Sequence, residues 1–300
     1  MKKSRSLFIA LFFTLSFLNA CKEALPPINF SGAESLVLID TCYTIGETGI
    51  PEPAYKGILI EDITGVRCVA CPNAAEVASE IKEAATTNPV VILGLYPEFP
   101  KSLTTPFAGY ENLRTEAAQL IGSNIYDFGN ILPAGGVNRK LFTGETTINI
   151  GYDLWLSKAN SIVGEKSIVN LNINKDQVND TTVRVQANFI FTSAPQANPF
   201  YSVFLLEDEI EHPQYYSGGT NEDYIHKHVV RKALTPYNGS PLLSGKTNCT
   251  EIARGTVVEK GWEVEIPSNV NPQKASIVIL VNYNDGDNKE VIQCQELKLK

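Results

Sequence analysis

Two apolar rhythms divide the chain. Between Tyr55 and Val163, short continuous apolar runs alternate with stretches of helical period. Gly57 to Ile60, running into Glu61-Asp62, predicts a buried strand, and Val90 to Leu95 a second. Between them, Val77, Ala78, Ile81, Ala84 and Ala85 fall on one helical face, with Glu76, Glu80, Lys82 and Glu83 mostly opposite, which predicts a helix over 72–86. Further helices are expected at 111–121 and 150–163, with a turn into a strand over 131–142. After Gly164 the helical period disappears. Val169 to Ile173, Val183 to Phe191, Trp262 to Ile266 and Val291 to Leu299 alternate as half-buried strands do. Tyr201 to Leu206 and Ile277 to Tyr283 are apolar throughout, as strands covered on both faces would be. The expected fold is therefore α/β plus all-β: an α/β domain over 55–164 and an antiparallel β-sandwich over 165–300. A long insertion at 212–246 interrupts the second part.

The first residues are of a different kind. Lys2, Lys3 and Arg5 precede the apolar stretch Leu7 to Leu18, and Leu18-Asn19-Ala20-Cys21 follows. A basic start, a short apolar core and a small residue before the cut describe a secretion signal over 1–20. Cys21 is placed as the lipid-bearing residue of a lipobox. Residues 21–54 then read as a lipidated N-terminus and tether, with Ser35 to Thr41 a short strand within it. Acyl chains on Cys21 would anchor the protein to a membrane without spanning it.

Charge narrows the partners. Formal net charge is −8, and the signal carries three cations and no acid, so the remainder is more acidic still. That balance argues against nucleic acid and against a polybasic grip on lipid. Export places Cys42, Cys68, Cys71, Cys249 and Cys294 in an oxidising compartment, and the odd count leaves one thiol over. Cys249 with Cys294 is the expected bridge inside the sandwich, which makes Cys42 the odd thiol.

The chemistry centres on Arg67-Cys68-Val69-Ala70-Cys71-Pro72, which follows a buried strand and opens a helix. Two intervening residues bring the sulfurs within disulfide reach. The helix N-terminus and Arg67 favour the thiolate of Cys68 as nucleophile, with Cys71 resolving. Three uses stand side by side: reversible exchange, a fixed staple, and half a zinc site that no second ligand pair completes. His212, His226 and His228 all lie in the insertion and serve either as metal ligands or as docking groups. Arg139 could hold a carboxylate or a substrate backbone, or pair with a carboxylate inside the fold. Glu98 lies in the Pro97–Pro106 loop, which flanks the presumed redox face.

The strand–motif–helix setting of Cys68 and Cys71 resembles a thioredoxin-like fold over 56–163. The resemblance implies a cis-proline facing the redox pair, for which Pro133 in Ile131-Leu132-Pro133 is the candidate. An arginine stands where the familiar aromatic precedes the first cysteine. Glu61 and Asp62 lie on the strand that would carry a buried proton acceptor. The order of Ile60 to Pro72, Leu132 to Arg139, Leu205 to Asp208 and Asp223 to Arg231 resembles the outer membrane protein 28-related lipoprotein family. That resemblance implies an outer-membrane lipoprotein, a thioredoxin-like domain followed by a β-rich domain. Two functions are expected from it and from the motif. One is thiol–disulfide exchange on exported protein thiols without a cofactor. The other is a surface protein that binds a partner, with the cysteine pair as scaffold.

Overall fold

The structure, a computed structural model, describes residues 37–243, 245 and 248–300. The signal, Cys21 and most of the tether lie outside them. In chain order the elements begin with β1 (Val37–Thr44), β2 (Ile58–Ile63), α1 (Cys71–Ala84) and β3 (Val90–Leu95). They continue with α2 (Lys101–Thr104), α3 (Glu116–Asn124), β4 (Ala134–Val137) and α4 (Tyr152–Asn160). Strands follow: β5 (Val169–Gln177), β6 (Thr182–Phe191), β7 (Phe200–Glu207), β8 (Ile210–Glu211), β9 (Gln214–Tyr216) and β10 (Gly219–Asn221). The last are β11 (Ile225–His226), β12 (Val229–Ala233), β13 (Ser240–Pro241), β14 (Thr256–Glu265), β15 (Ala275–Asn282) and β16 (Val291–Lys298). The fold is mixed α/β and mostly strand. Among the described residues no helix is long and apolar enough to cross a membrane.

One long sheet runs β16-β15-β7-β12-β3-β2-β4, with β13 added to β7. β2 and β3 are parallel, joined by α1, and β4 is antiparallel to β2. Strands from both sides of Gly164 thus share one sheet. The joint is β12, which lies parallel to β3 and antiparallel to β7. The 212–246 segment is therefore not one loop. It carries β9, β10, β11, β12 and β13, and β12 becomes an interior strand of the sheet. Its sequence, Val-Val-Arg-Lys-Ala, is too short and too charged to announce that position.

Period-two alternation sends Val183, Val185, Ala187, Phe189 and Phe191 of β6 into one core. That core also takes Val203 and Leu205 of β7 and Ile277 and Ile279 of β15, so the four-stranded sheet β1-β14-β6-β5 covers one face of the long sheet at this end. At the other end the same role falls to α1 and α4. Ala74, Ala78 and Ile81, with Trp155 and Ala159, pack on Ile58, Ile60 and Ile92. The opposite face is shared by both ends: Leu59, Leu93, Phe204, Leu206, Val278 and Leu280 lie with Ala118 and Ile121 of α3. β7 and β15 are thus buried on both faces, as their unbroken apolar runs require.

Three expectations are corrected. The short strand expected within 21–54 is present as β1, but it pairs with β14 from Val37 to Thr44 and so is not tether. The Cys249–Cys294 bridge is not formed. Cys42, the inward residue of β1, is bonded to Cys249 with a Cα–Cα distance of 5.7 Å. Among the described residues the free thiol is Cys294, on β16 and tight against the backbone at Gly57. The helix expected from 111 begins only at Glu116, because the Thr115 side chain accepts from the Ala118 amide and sets the cap there.

Candidate functional site

Cys68 and Cys71 are bonded to each other, with Cα atoms 5.4 Å apart. β2 ends at Ile63, and Thr64 to Ala70 turn into α1. Cys71 is the first helical residue and Pro72 the second, where a missing N–H leaves no intrahelical acceptor unfilled. The loop is held down at Arg67, whose amide donates to Leu103 O. The Arg67 side chain donates to Thr105 O at 2.7 Å and Pro106 O at 3.3 Å, and lies 4.3 Å from the centre of the Phe107 ring. Two of its donors are thus committed to the Pro97–Pro106 loop.

Pro133 follows a cis Leu132–Pro133 bond and immediately precedes β4. Ala134 pairs with Ile63, so Pro133 lies at the end of β2 from which the cysteine loop departs. The Phe99–Pro100 bond is cis as well.

The two acids of β2 part ways. Glu61 is fully buried and met by Arg139, Nη2 to Oε1 at 2.6 Å and Nε to Oε2 at 2.8 Å; the Tyr126 hydroxyl adds 2.7 Å. Arg139 is itself 1% exposed, so it presents nothing to a substrate. Its expected binding role is corrected to an internal ion pair: β4 and β2 are neighbours, and a buried carboxylate needs that partner. The next carboxyl, Asp62, has no cation. Its Oδ1 is buried without a hydrogen-bond partner, and burial pushes its pKa up to about 7. Asp62 and Cys71 line the same cavity, about 370 Å³, between α1 and residues 224–228.

His226 and His228 line that cavity, and His212 lies behind His226, with ring centres 5.6 Å apart. His226 Nε2 lies 3.1 Å from His212 O, which can only accept, so Nε2 carries the proton and Nδ1 accepts from the Tyr96 hydroxyl at 2.7 Å. Burial first, then His212, lowers the pKa of His226 to about 3. His228 turns the other way. Its φ of 55° breaks the strand alternation that would set it beside His226, and it meets Asp208 at 3.2 Å. Asp208, His228 and Glu296 bring ligand-type atoms within 4.8 Å of one another. Lys298 already pairs with Asp208, and Lys82 with Glu296 at 2.9 Å, so the cluster reads as an ion-pair network.

A cover over the cysteines escaped sequence reasoning. Gln214 Nε2 donates to Cys68 O at 2.9 Å and Gly65 O at 3.2 Å, and the Tyr215 amide donates to Val66 O at 2.9 Å. Cys68 is 3% exposed and Cys71 1%. A polar Gln in a Tyr-rich loop gives no local signal of such a role; only the long-range pairing reveals it.

Comparison with curated proteins finds no match. Among solved structures, HBP35 of Porphyromonas gingivalis is similar over 83% of this chain and 77% of that one, at 14% identity and a TM-score of 0.62, a likeness of fold alone. A domain of the outer membrane lipoprotein Omp28 from Porphyromonas gingivalis aligns over 44% of this chain and 88% of that one, at 15% identity and a TM-score of 0.28, too loose to bear on the fold. The family model described as outer membrane protein Omp28 matches residues 124–300. The cysteine pair lies before that stretch. Since the match takes in more than half of the chain, the chain belongs to the Omp28 outer membrane protein family.

Proposed function

We propose that the chain is an outer-membrane protein, lipid-anchored through Cys21, whose Cys68–Cys71 pair exchanges disulfides with exported protein thiols. One observation carries the reading: a buried, unpaired carboxyl, Asp62, lines the same cavity as Cys71. A staple has no use for such a group. A resolving cysteine does, because its thiolate must gain a proton when the disulfide opens and lose one when it closes. With its pKa near 7, Asp62 is matched to both directions. Cys68, ahead of the helix, is the attacking sulfur and Cys71 the resolving one. The β2-α1-β3 unit with antiparallel β4 and Pro133 at its head supports a thioredoxin-like reading of 55–164.

A second reading has its own observation. Both cysteines are almost wholly buried, and Gln214 holds the Cys68 carbonyl, as for a scaffold disulfide in a partner-binding surface protein. Trapping separates them. In the full chain, Cys71→Ser leaves Cys68 able to form a mixed disulfide that cannot resolve. Exchange predicts accumulation of such adducts with exported proteins, and their loss in Cys68→Ser. Equal absence of adducts in both variants favours the scaffold.

A further inference from the structure

The cover over the cysteines has the form of a bound peptide. Tyr215 gives its backbone N–H to Val66 O, a carbonyl of the turn that carries the motif, so main chain meets main chain there. The Gln214 side chain takes the neighbouring carbonyls, Gly65 O and Cys68 O. Tyr215 continues the contact toward Arg67: the guanidinium lies 5.7 Å from its ring centre, and Nη1 donates to its hydroxyl at 3.3 Å. Phe107 closes the aromatic cluster, edge-on to Tyr215 with centroids 5.1 Å apart.

This segment's ladder is separate from the long sheet, although Gln214 itself is buried. β9 pairs with β10 alone, in a two-stranded sheet apart from the long one. The tip at Tyr216 and Gly218 is exposed. Beside it lies a second opening of about 370 Å³, lined by Val69, Ala70, Pro72, Asn73, Tyr216 and Tyr224, so the motif's own residues border free space. Lifting the hairpin would cost the main sheet none of its ladder bonds.

We propose that Gln214–Tyr216 stands in the place of the substrate, and that the substrate is an extended, aromatic-bearing segment of an exported polypeptide that displaces it. The proposal rests on the exchange reading above and names its substrate class. The incoming backbone takes over the Val66 carbonyl, its aromatic side chain takes the seat of Tyr215 against Arg67 and Phe107, and Cys68 is uncovered. A substrate thiolate then attacks Cys68 Sγ. The Cys68–Cys71 bond breaks, and Cys71 leaves as a thiolate that takes its proton from Asp62. A second substrate thiolate attacks the substrate sulfur of the mixed disulfide and releases Cys68. Two thiols thereby pass two electrons and, in net, two protons to the pair, and the substrate leaves as a disulfide.

The test compares two reductants on the full chain: glutathione, and a synthetic peptide of residues 212–218 carrying Gln214→Cys. At equal thiolate concentration the peptide is expected to reduce the pair about tenfold faster than glutathione, and Gln214→Ala to speed glutathione by about tenfold. Equal rates for the two reductants, or an unchanged rate in Gln214→Ala, would overturn the stand-in. If neither protein is reduced by either thiol, the exchange reading itself fails. Hydrogen exchange on the unaltered chain needs no variant to fold: the Tyr215 amide is expected to exchange about 100-fold faster than that of Leu93 in β3. Equal protection would mean that the cover opens only when the whole fold does.

Discussion

Arg139 grips Glu61 with two parallel hydrogen bonds, both side chains wholly out of solvent. The pair decides which acid of β2 is free for chemistry. Glu61 is neutralised by its partner and by the Tyr126 hydroxyl, while Asp62, one position on and facing the other side of the sheet, keeps an unpartnered oxygen.

Removing one partner of that pair strands the other. Arg139→Met is expected to cost about 3–5 kcal/mol in urea unfolding, far more than a surface substitution. A loss below about 1 kcal/mol would show that the pair contributes little, and that Glu61 is readily protonated or solvated in its place.

Asp62 makes stability depend on pH in an unusual sense for a carboxylate. Its folded pKa, about 7, lies above the ordinary aspartate value of 3.8. The contribution is fully present below the unfolded value and is lost as pH rises through about 7, because unfolding then releases a proton. Asp62→Asn is expected to be more stable than the parent by up to about 4 kcal/mol at pH 8, with the advantage gone near pH 4. Denaturation midpoints at the two pH values check it; a gain of equal size at both would contradict it.

His226 works from the acid side. Its folded pKa of about 3 lies below the ordinary 6.5, so unfolding takes up a proton and acid favours it. Between pH 7 and pH 5 the parent is expected to lose about 2 kcal/mol that His226→Gln does not lose. The comparison is made by urea titration at the two pH values, and parallel losses in both proteins would remove His226 from the account.

The bridge between Cys42 and Cys249 closes a loop with a sequence separation of 207 residues, while Cys294 lies buried with its thiol pKa pushed up by desolvation. Replacing both bridge cysteines by Ala is expected to cost about 2–4 kcal/mol. In the folded, unreduced protein Cys294 should resist alkylation and should react once urea unfolds it. Rapid labelling of Cys294 in the native state would contradict its placement against Gly57.

What could be seen in advance follows the range of the interactions. The runs that build β2, α1 and β3 show in the sequence, because burial there is set by neighbours three or four positions away or by alternation. So do β6 and β7. The cysteine pairing does not show, because it depends on β1 lying beside β14, and Pro26 and Pro27 before β1 suggest a tether. Nor does β12, whose place between β3 and β7 is fixed by a bond from the Gly94 amide to His228 O, 2.7 Å, at a spot where any side chain on Gly94 would crowd the carbonyls of Lys227 and His228. At the site, Cys68 and Cys71 are local features, and Pro133 is reached through the thioredoxin-like resemblance. Separating Asp62 from Glu61 required Arg139, and seeing the cover required Gln214; both meet their partners across the sheet or from the insertion.

The most direct test of the account is the reduction potential of the Cys68–Cys71 pair, by equilibration of the full chain with glutathione buffers and quantitation of the reduced pair. Exchange predicts a value between about −270 and −120 mV, the span of known exchange catalysts. A potential below about −300 mV, with no glutathione adduct at any ratio, would contradict the account and leave the pair as a structural disulfide.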